Sequence, residues 1–186
     1  MLGNLARVSG DRLFGGLTRR LSDAGFRPLT ALVCELVAAA ASGLCLGGRA
    51  RVAAAALLLV HGFCDYLDGA LRRARSTGPS PCPRREAGLH ATSDKVAEIA
   101  IFLGMGIGDW GPWWLVLAAL STSIGATLAG FWARRAHGAP RERSTFDRAD
   151  RVVVLLLGLL IGRVEAGLAV VLVMNLVIMA QRLRWR

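Results

Sequence analysis

The stretch Val52-Ala-Ala-Ala-Ala-Leu-Leu-Leu-Val60-His61-Gly-Phe-Cys64-Asp65-Tyr-Leu-Asp68-Gly69 joins an apolar run of membrane grade to a pair of acids. A helix of this composition belongs in hydrocarbon, and an ionised carboxylate at its edge is costly unless it meets a polar cavity, a partner cation or a metal. Asp65 and Asp68 stand three apart and therefore share a helical face, while Gly69 beside them permits close approach of a ligand or a neighbouring helix. A third acid, Asp94, opens the next apolar run as Asp94-Lys95-Val-Ala-Glu98 and is expected at the same membrane face. Acids clustered at one face of a bundle suggest a site.

The rest of the chain has the same character. Its 186 residues are 54% hydrophobic and 19% charged, with a mean hydropathy of +0.46, which reads as one integral membrane domain rather than a soluble one. A net charge of +10 could suggest nucleic acid, but no basic strip is interleaved with aromatics, and the basic residues fall between apolar runs. Topology accounts for them better. With six spans and both ends inside, all 23 basic residues except Arg49, Arg51 and Arg163 are cytoplasmic, the positive-inside pattern of an inner membrane such as the bacterial plasma membrane. Cys34, Cys45 and Cys64 lie in apolar helices and Cys82 in a proline-rich loop, with no metal-ligand spacing among them.

Two segments are expected. Residues 1–28 place Leu5, Val8, Leu13, Leu17 and Leu21 at roughly helical spacing among arginines, an amphipathic helix on the anionic inner leaflet, without the layout of a cleavable signal. Residues 29–186 form the membrane domain, an all-α bundle with spans near 29–46, 52–70, 94–108, 115–134, 151–161 and 164–181. The prolines of Gly78-Pro79-Ser-Pro81-Cys-Pro83 break any single helix across 71–92, and the tryptophans of Asp109-Trp-Gly-Pro-Trp-Trp114 suit the outer interface. The fifth span is short, which leaves a span and a buried helix as alternatives unless the helix continues into an aqueous cavity.

Hard divalent cations such as Mg²⁺ favour a few carboxylates, water and substrate phosphate. Arg73 and Arg75 follow the aspartate pair, where guanidinium groups can neutralise a diphosphate. Carboxylates, a metal and arginines at a lipid–water boundary fit phosphoryl transfer to or from a lipid.

Asp65-Tyr-Leu-Asp68-Gly69-Ala-Leu-Arg72-Arg73, with Asp94 beyond it, resembles the signature of the CDP-alcohol phosphotransferase family, D-x-x-D-G-x-x-A-R followed by G-x-x-x-D-x-x-x-D. The runs Asp68-Gly-Ala-Leu-Arg-Arg-Ala-Arg75, Asp94-Lys-Val-Ala-Glu98 and Phe146-Asp-Arg148-Ala-Asp-Arg151 are most similar to those of the actinobacterial phosphatidylinositol-phosphate synthases. The resemblance implies a dimer that transfers a substituted phosphoryl group from a CDP-linked lipid, CDP-diacylglycerol in the first instance, to an alcohol and releases CMP. It also implies roles: Asp65, Asp68 and Gly69 at the metal and nucleotide, Arg73 on the diphosphate, Asp94 as metal ligand or base, and Arg148 and Arg151 on the phosphate of the acceptor.

The second half of the signature departs from the family. Aligning Asp94 with the last aspartate puts His90 in place of the third and Glu86 in place of the glycine, after a small insertion; without that gap Glu86 stands third and His90 fourth, as a base. The first alignment keeps Asp-Lys-Val-Ala-Glu in step with the family and is preferred. An imidazole ligand weakens Mg²⁺ and favours Mn²⁺. Arg72 replaces a small alanine, and Leu29 and Leu32 replace polar residues common after the proline. His61 lies one turn before Asp65, where packing or hydrogen bonding is its expected role, and Glu35 lies inside the first span without an evident partner. Three alternatives stay open: the same chemistry on glycerol 3-phosphate, a relative that binds without catalysis, and a small transporter, although no broken-helix repeat is evident.

Overall fold

Two helices joined by a tight turn bring the first acids into place: α2, Pro28–Gly47, and α3, Arg51–Arg75. Pro28 takes the first helical position, where its missing N–H costs nothing, and Arg27 before it is extended (φ −89°, ψ 147°). At the far end Gly48 N–H bonds Leu44 O at 2.9 Å, and Arg49 turns the chain at a positive φ of 58°. The computed structural model describes residues 14–75, 83–137, 146 and 148–184, with the side chains of 73–75, 83–87, 134, 136 and 137 outside that description. Ahead of α2 lies α1, residues 14–23; after α3 come α4, Pro83–Ile107, α5, Trp113–His137, α6, Arg148–Ile161, and α7, Val164–Leu183. No strand occurs among the described residues.

Four of these helices contain segments long and apolar enough to cross a membrane: Pro28–Gly47, Arg51–Arg72, Trp113–Ala133 and Val164–Leu183. Their outward faces carry Val37, Leu44, Val52, Leu128 and Val173, all exposed, while α2 buries Ala31, Ala38, Ala39, Ser42 and Gly43 together with Glu35. Large apolar side chains outside and small or polar ones inside suit a hydrocarbon solvent. Of the six expected spans, the third and fifth do not meet that measure of length and apolarity. In α4, His90, Asp94, Lys95 and Glu98 interrupt the apolar run; α6 has 14 residues, about 21 Å at 1.5 Å per residue.

Two expected boundaries are corrected. The third helix does not begin at Asp94 but at Pro83, so Asp94 sits in mid-helix and the dipole of a helix start does not act on it. Polar residues do not by themselves end a helix, and Pro83 is tolerated in the first turn. The fifth helix begins at Arg148 rather than 151, which puts Arg148 and Arg151 one turn apart on one helix. Of the amphipathic segment, residues 1–13 lie outside the described residues, and the remainder is helical over 14–23. There Phe14 meets Phe63 edge-on, with ring centroids 5.5 Å apart, and Leu21 packs on Ala31, Leu67 and Leu71.

In the bundle α2 packs against α3 and α4, α7 against α5 and α6, and the two groups meet where α3 touches α6 and α4 touches α5. Leu46, Leu58, Met105, Val116, Leu159 and Leu168 fill the centre. The turns α2–α3, α4–α5 and α6–α7 gather at one end. There Arg49 Nε donates to Gly108 O at 2.9 Å, Trp110 Nε1 donates to Leu46 O at 2.7 Å, and Arg51 reaches Leu160 O. The acids of α3 and α4 lie toward the opposite end.

The α2–α4 crossing is the tightest. A Cβ on Gly104 would collide with the backbone of Gly43, and one on Gly43 with the carbonyl of Ala100. Neither obstacle is a flexible side chain. Gly104→Val is therefore expected to destabilise the fold by about 2–3 kcal/mol, or about 5–10 °C in Tm. Leu128→Ala, on the exposed face of α5, should move Tm little. Thermal unfolding of both variants in one detergent checks this.

Candidate active site

Asp65 and Asp68 project from the same face of α3, and the antiparallel approach of α4 brings His90 and Asp94, a turn apart, opposite them. His90 Nδ1 lies 3.3 Å from Asp68 Oδ2 and 3.8 Å from Asp94 Oδ1. His90 thus belongs to the carboxylate cluster, a place that both alignments give it. The side chains of Arg73 and Glu86 lie outside the described residues, so the alternative role of Glu86 and the diphosphate role of Arg73 find no geometry here.

One arginine from α6 closes the cluster. Arg148 Nη1 donates to Asp65 Oδ1 at 3.3 Å and to Asp94 Oδ1, while Nη2 donates to Glu35 Oε1 at 2.8 Å. Nη2 also lies 3.3 Å from His61 Nε2. His61 Nδ1 is 3.2 Å from the carbonyl of Glu35, an acceptor only, so Nδ1 carries the proton and Nε2 presents its lone pair to Arg148. Glu35 and His61, at 0% and 1% exposure, are sealed inside the bundle. Asp68 is equally buried and accepts from Arg72 Nε through both oxygens, each at 2.9 Å.

Arg151, one turn further along α6, belongs to a second network. Its Nη1 donates to Ser123 Oγ at 2.7 Å and Asn175 Oδ1 at 3.1 Å, and its Nη2 lies 3.3 Å from Glu98 Oε1. The other oxygen of Glu98 accepts from Ser123 Oγ at 2.6 Å and Lys95 Nζ at 2.5 Å. Asn175 Nδ2 donates to the carbonyl of Ala119 at 3.1 Å, which ties α7 to α5. A small, mostly apolar cavity, bordered by His61, Glu98, Arg148 and Arg151, lies between the two networks.

The expected residues Asp65, Asp68, His90, Asp94 and Arg148 therefore meet, and Arg151 stands beside them. Gly69 follows Asp68 on α3. Sequence reading left Glu35 without a partner and gave His61 only a packing or hydrogen-bonding part; the structure puts both on Arg148. A carboxylate within an apolar span is itself the signal that could have found Glu35, because such a group persists only with a partner.

The donor set suits a divalent cation. Ligand atoms of Glu35, His90 and Asp94 lie within 4.8 Å of one another, and Glu35 Oε2 and His90 Nδ1 are buried without hydrogen-bond partners. Carboxylates with one imidazole match borderline to hard ions. Membrane helices that gather acids, a histidine and arginines around a cleft define a class of lipid-modifying phosphotransferase site.

Comparison with known proteins gives the family. Residues 28–181 match the model for CDP-alcohol phosphatidyltransferase, and the chain belongs to that family. It is 25% identical over 132 residues to the archaetidylinositol phosphate synthase of Pyrococcus horikoshii, covering 71% of this chain and 68% of that protein. Crystal structures of the Mycobacterium tuberculosis phosphatidylinositol phosphate synthase share the fold at 23% identity. The one with CDP-DAG bound has a TM-score of 0.74 and covers 92% of each chain. The one in complex with manganese and citrate has a TM-score of 0.73, covering 91% of this chain and 87% of that one.

Removing the arginine at the centre tests the electrostatics. Arg148→Met leaves the carboxylates of Glu35, Asp65 and Asp94 without their shared cation, and the expected loss is about 3–5 kcal/mol of stability. Adding Glu35→Gln should recover part of that loss, because one buried charge then no longer needs a partner. A double-mutant cycle on unfolding free energies measures the recovery.

Proposed function

We propose that this chain transfers a phosphatidyl-type group from a CDP-linked lipid, CDP-diacylglycerol in the first instance, to the hydroxyl of a polar alcohol, with release of CMP. The observation that carries this reading is the convergence of Asp65, Asp68, His90 and Asp94 in a member of the CDP-alcohol phosphatidyltransferases. The acceptor oxygen attacks the lipid-bearing phosphorus of the donor, the bond from that phosphorus to the oxygen of CMP breaks, and CMP leaves with the electron pair. Asp94, or His90 beside it, takes the hydroxyl proton. A divalent cation held among these groups, Mg²⁺ or Mn²⁺, would neutralise the diphosphate and the departing CMP. The signature positions Asp65, Asp68, His90 and Asp94, with Glu86 in the alternative alignment, are the candidates to hold it. Arg73 is assigned to the diphosphate and Gly69 to the close approach of the nucleotide.

Arg148 and Arg151 are assigned to a phosphorylated acceptor, inositol phosphate being the nearest fit. Support comes from their spacing one turn apart at the start of α6. The archaeal relative and the mycobacterial structures carry names of inositol phosphate synthases, and glycerol 3-phosphate is the alternative acceptor. In the full reading, α2–α7 provide six spans over residues 29–186 and α1 belongs to a surface helix over residues 1–28. The chain is a homodimer of the bacterial plasma membrane with both termini and the active site cytoplasmic, bound to lipid and not to nucleic acid.

A second reading has a specific observation behind it. Arg72 occupies both oxygens of Asp68, and Arg148 holds Asp65 and Asp94, which fits a relative that binds a CDP-lipid without turning it over. The purified protein incubated with CDP-diacylglycerol, Mg²⁺ or Mn²⁺, and a panel of alcohols separates the two. Metal-dependent CMP release, with the lipid product identified by mass, supports the enzyme; binding without release supports the other reading.

For the enzyme, Asp65→Asn and Asp68→Asn should each lower CMP release by about a thousandfold, since electrostatic stabilisation supplies most of the rate. Near-normal turnover in both would remove these acids from the mechanism. His90→Asp should keep activity and shift metal preference toward Mg²⁺, because a carboxylate is the harder ligand; His90→Ala should be much weaker. Arg151→Ala should raise the KM for a phosphorylated acceptor about tenfold or more with little change for the donor, as expected for losing one charge-assisted contact. Arg148→Ala should raise the acceptor KM and lower kcat together, because it also frees Asp65 and Asp94.

A further inference from the structure

Glu35 lies on none of the motif positions, yet it is one of the most deeply buried residues of the chain, at 0% exposure. Its Oε1 is held by Arg148, and its Oε2 is left without any hydrogen-bond partner. Among the described residues only two other buried side-chain atoms share that condition, and one of them is His90 Nδ1. An unpartnered buried carboxylate oxygen is expensive, so Glu35 Oε2 points to a group that bonds to it, and His90 Nδ1, whose nearest acid Asp68 Oδ2 lies 3.3 Å away without hydrogen-bond geometry, belongs to the same cluster.

Charge leads to the same place. Three carboxylates, Glu35, Asp65 and Asp94, share the single guanidinium of Arg148, with His90 3.8 Å from Asp94, so the acids outnumber the fixed cation that reaches them. Asp68 is not in the same need, because Arg72 bonds both of its oxygens. Arg72 stands where the family signature carries a small alanine, and His90 where the preferred alignment expects an aspartate. Asp68 is thus paired with an arginine, an imidazole stands beside it, and an acid outside the signature, Glu35 of α2, joins the cluster.

We propose that Glu35, with His90 and Asp94, forms a mononuclear divalent-metal site that takes over from the family's carboxylate arrangement, with a preference for Mn²⁺ over Mg²⁺. The inference deepens the metal-dependent reading given under Proposed function and rests on it. Ligand atoms of the three residues lie within 4.8 Å of one another. With bonds of about 2.1 Å, ligands on opposite sides of an ion stand about 4.2 Å apart and adjacent ones about 3 Å, so side-chain adjustments on the order of an ångström close the site. The imidazole among two carboxylates gives the preference for Mn²⁺.

The test is direct metal binding by the full chain in detergent, without nucleotide. Mn²⁺ is titrated into metal-stripped protein and the free ion is followed by electron paramagnetic resonance. Wild type should bind one Mn²⁺ per chain, with nitrogen modulation of the bound signal that His90→Asp abolishes. Glu35→Gln keeps an oxygen acceptor for Arg148 but loses the charge, and its Kd for Mn²⁺ should rise tenfold or more at unchanged Tm. If Glu35→Gln does not yield folded protein, Glu35→Asp carries the test. It keeps the charge and shortens the reach by one methylene; a threefold or larger rise in Kd supports the site, and an unchanged Kd overturns it. Wild-type affinity in folded Glu35→Gln, or two Mn²⁺ per chain, would overturn the Glu35 site and leave the metal-dependent reading standing. Failure of the wild type to bind Mn²⁺ at millimolar concentration would withdraw both.

Discussion

The guanidinium of Arg148 is the constraint on which the rest of this molecule turns. It draws together acids from three helices, Glu35 of α2, Asp65 of α3 and Asp94 of α4, and it comes from a fourth, α6. Without a cation those carboxylates would repel one another in a poorly solvated interior, and the helices bearing them could not close. With it, the polar end of the bundle becomes a packed element rather than a gap. His61 completes the arrangement, because its bond to the Glu35 carbonyl orients the ring so that its free nitrogen faces the same guanidinium. Desolvating so much charge is costly, and arginine suits the task because its planar fork serves several acceptors at once.

A second polar network explains why α6 presents its arginines in a fixed direction. Arg151 is held by Glu98 of α4, Ser123 of α5 and Asn175 of α7, with Lys95 on the other side of Glu98. Both ends of one helical turn are thereby anchored from different neighbours, which leaves little freedom for the first turn of α6. The apolar core over Leu58, Met105 and Leu168 supplies packing but no such direction.

Membership of the CDP-alcohol phosphatidyltransferases also makes the departures informative. Arg72 lies against Asp68 and His90 stands between Asp68 and Asp94, so the two substitutions act on one pair of acids rather than at separate places. Arg72 pairs with Asp68, while Asp94, Asp65 and Glu35 gather on Arg148.

The sequence alone determined the membrane character, the helical class, the course of α2, α3, α5 and α7, and the gathering of Asp65, Asp68 and Asp94 at one face. These follow from local physics: apolar length, helical spacing and the cost of a charge in hydrocarbon are properties of a segment. The start of α4 at Pro83 was missed because polar residues look like a loop when no neighbour is there to receive them. Only the tertiary structure decided what each acid pairs with. Arg148 is 113 residues from Glu35 and 83 from Asp65, and no spacing rule reaches across such distances. That Arg148 and Arg151 stand one turn apart was legible from their spacing, whereas the division of the two between separate acidic partners was not. That division depends on which helices flank α6 on either side, and helix neighbours are set by the packing of small residues such as Gly43 against Gly104, which only the assembled bundle reveals.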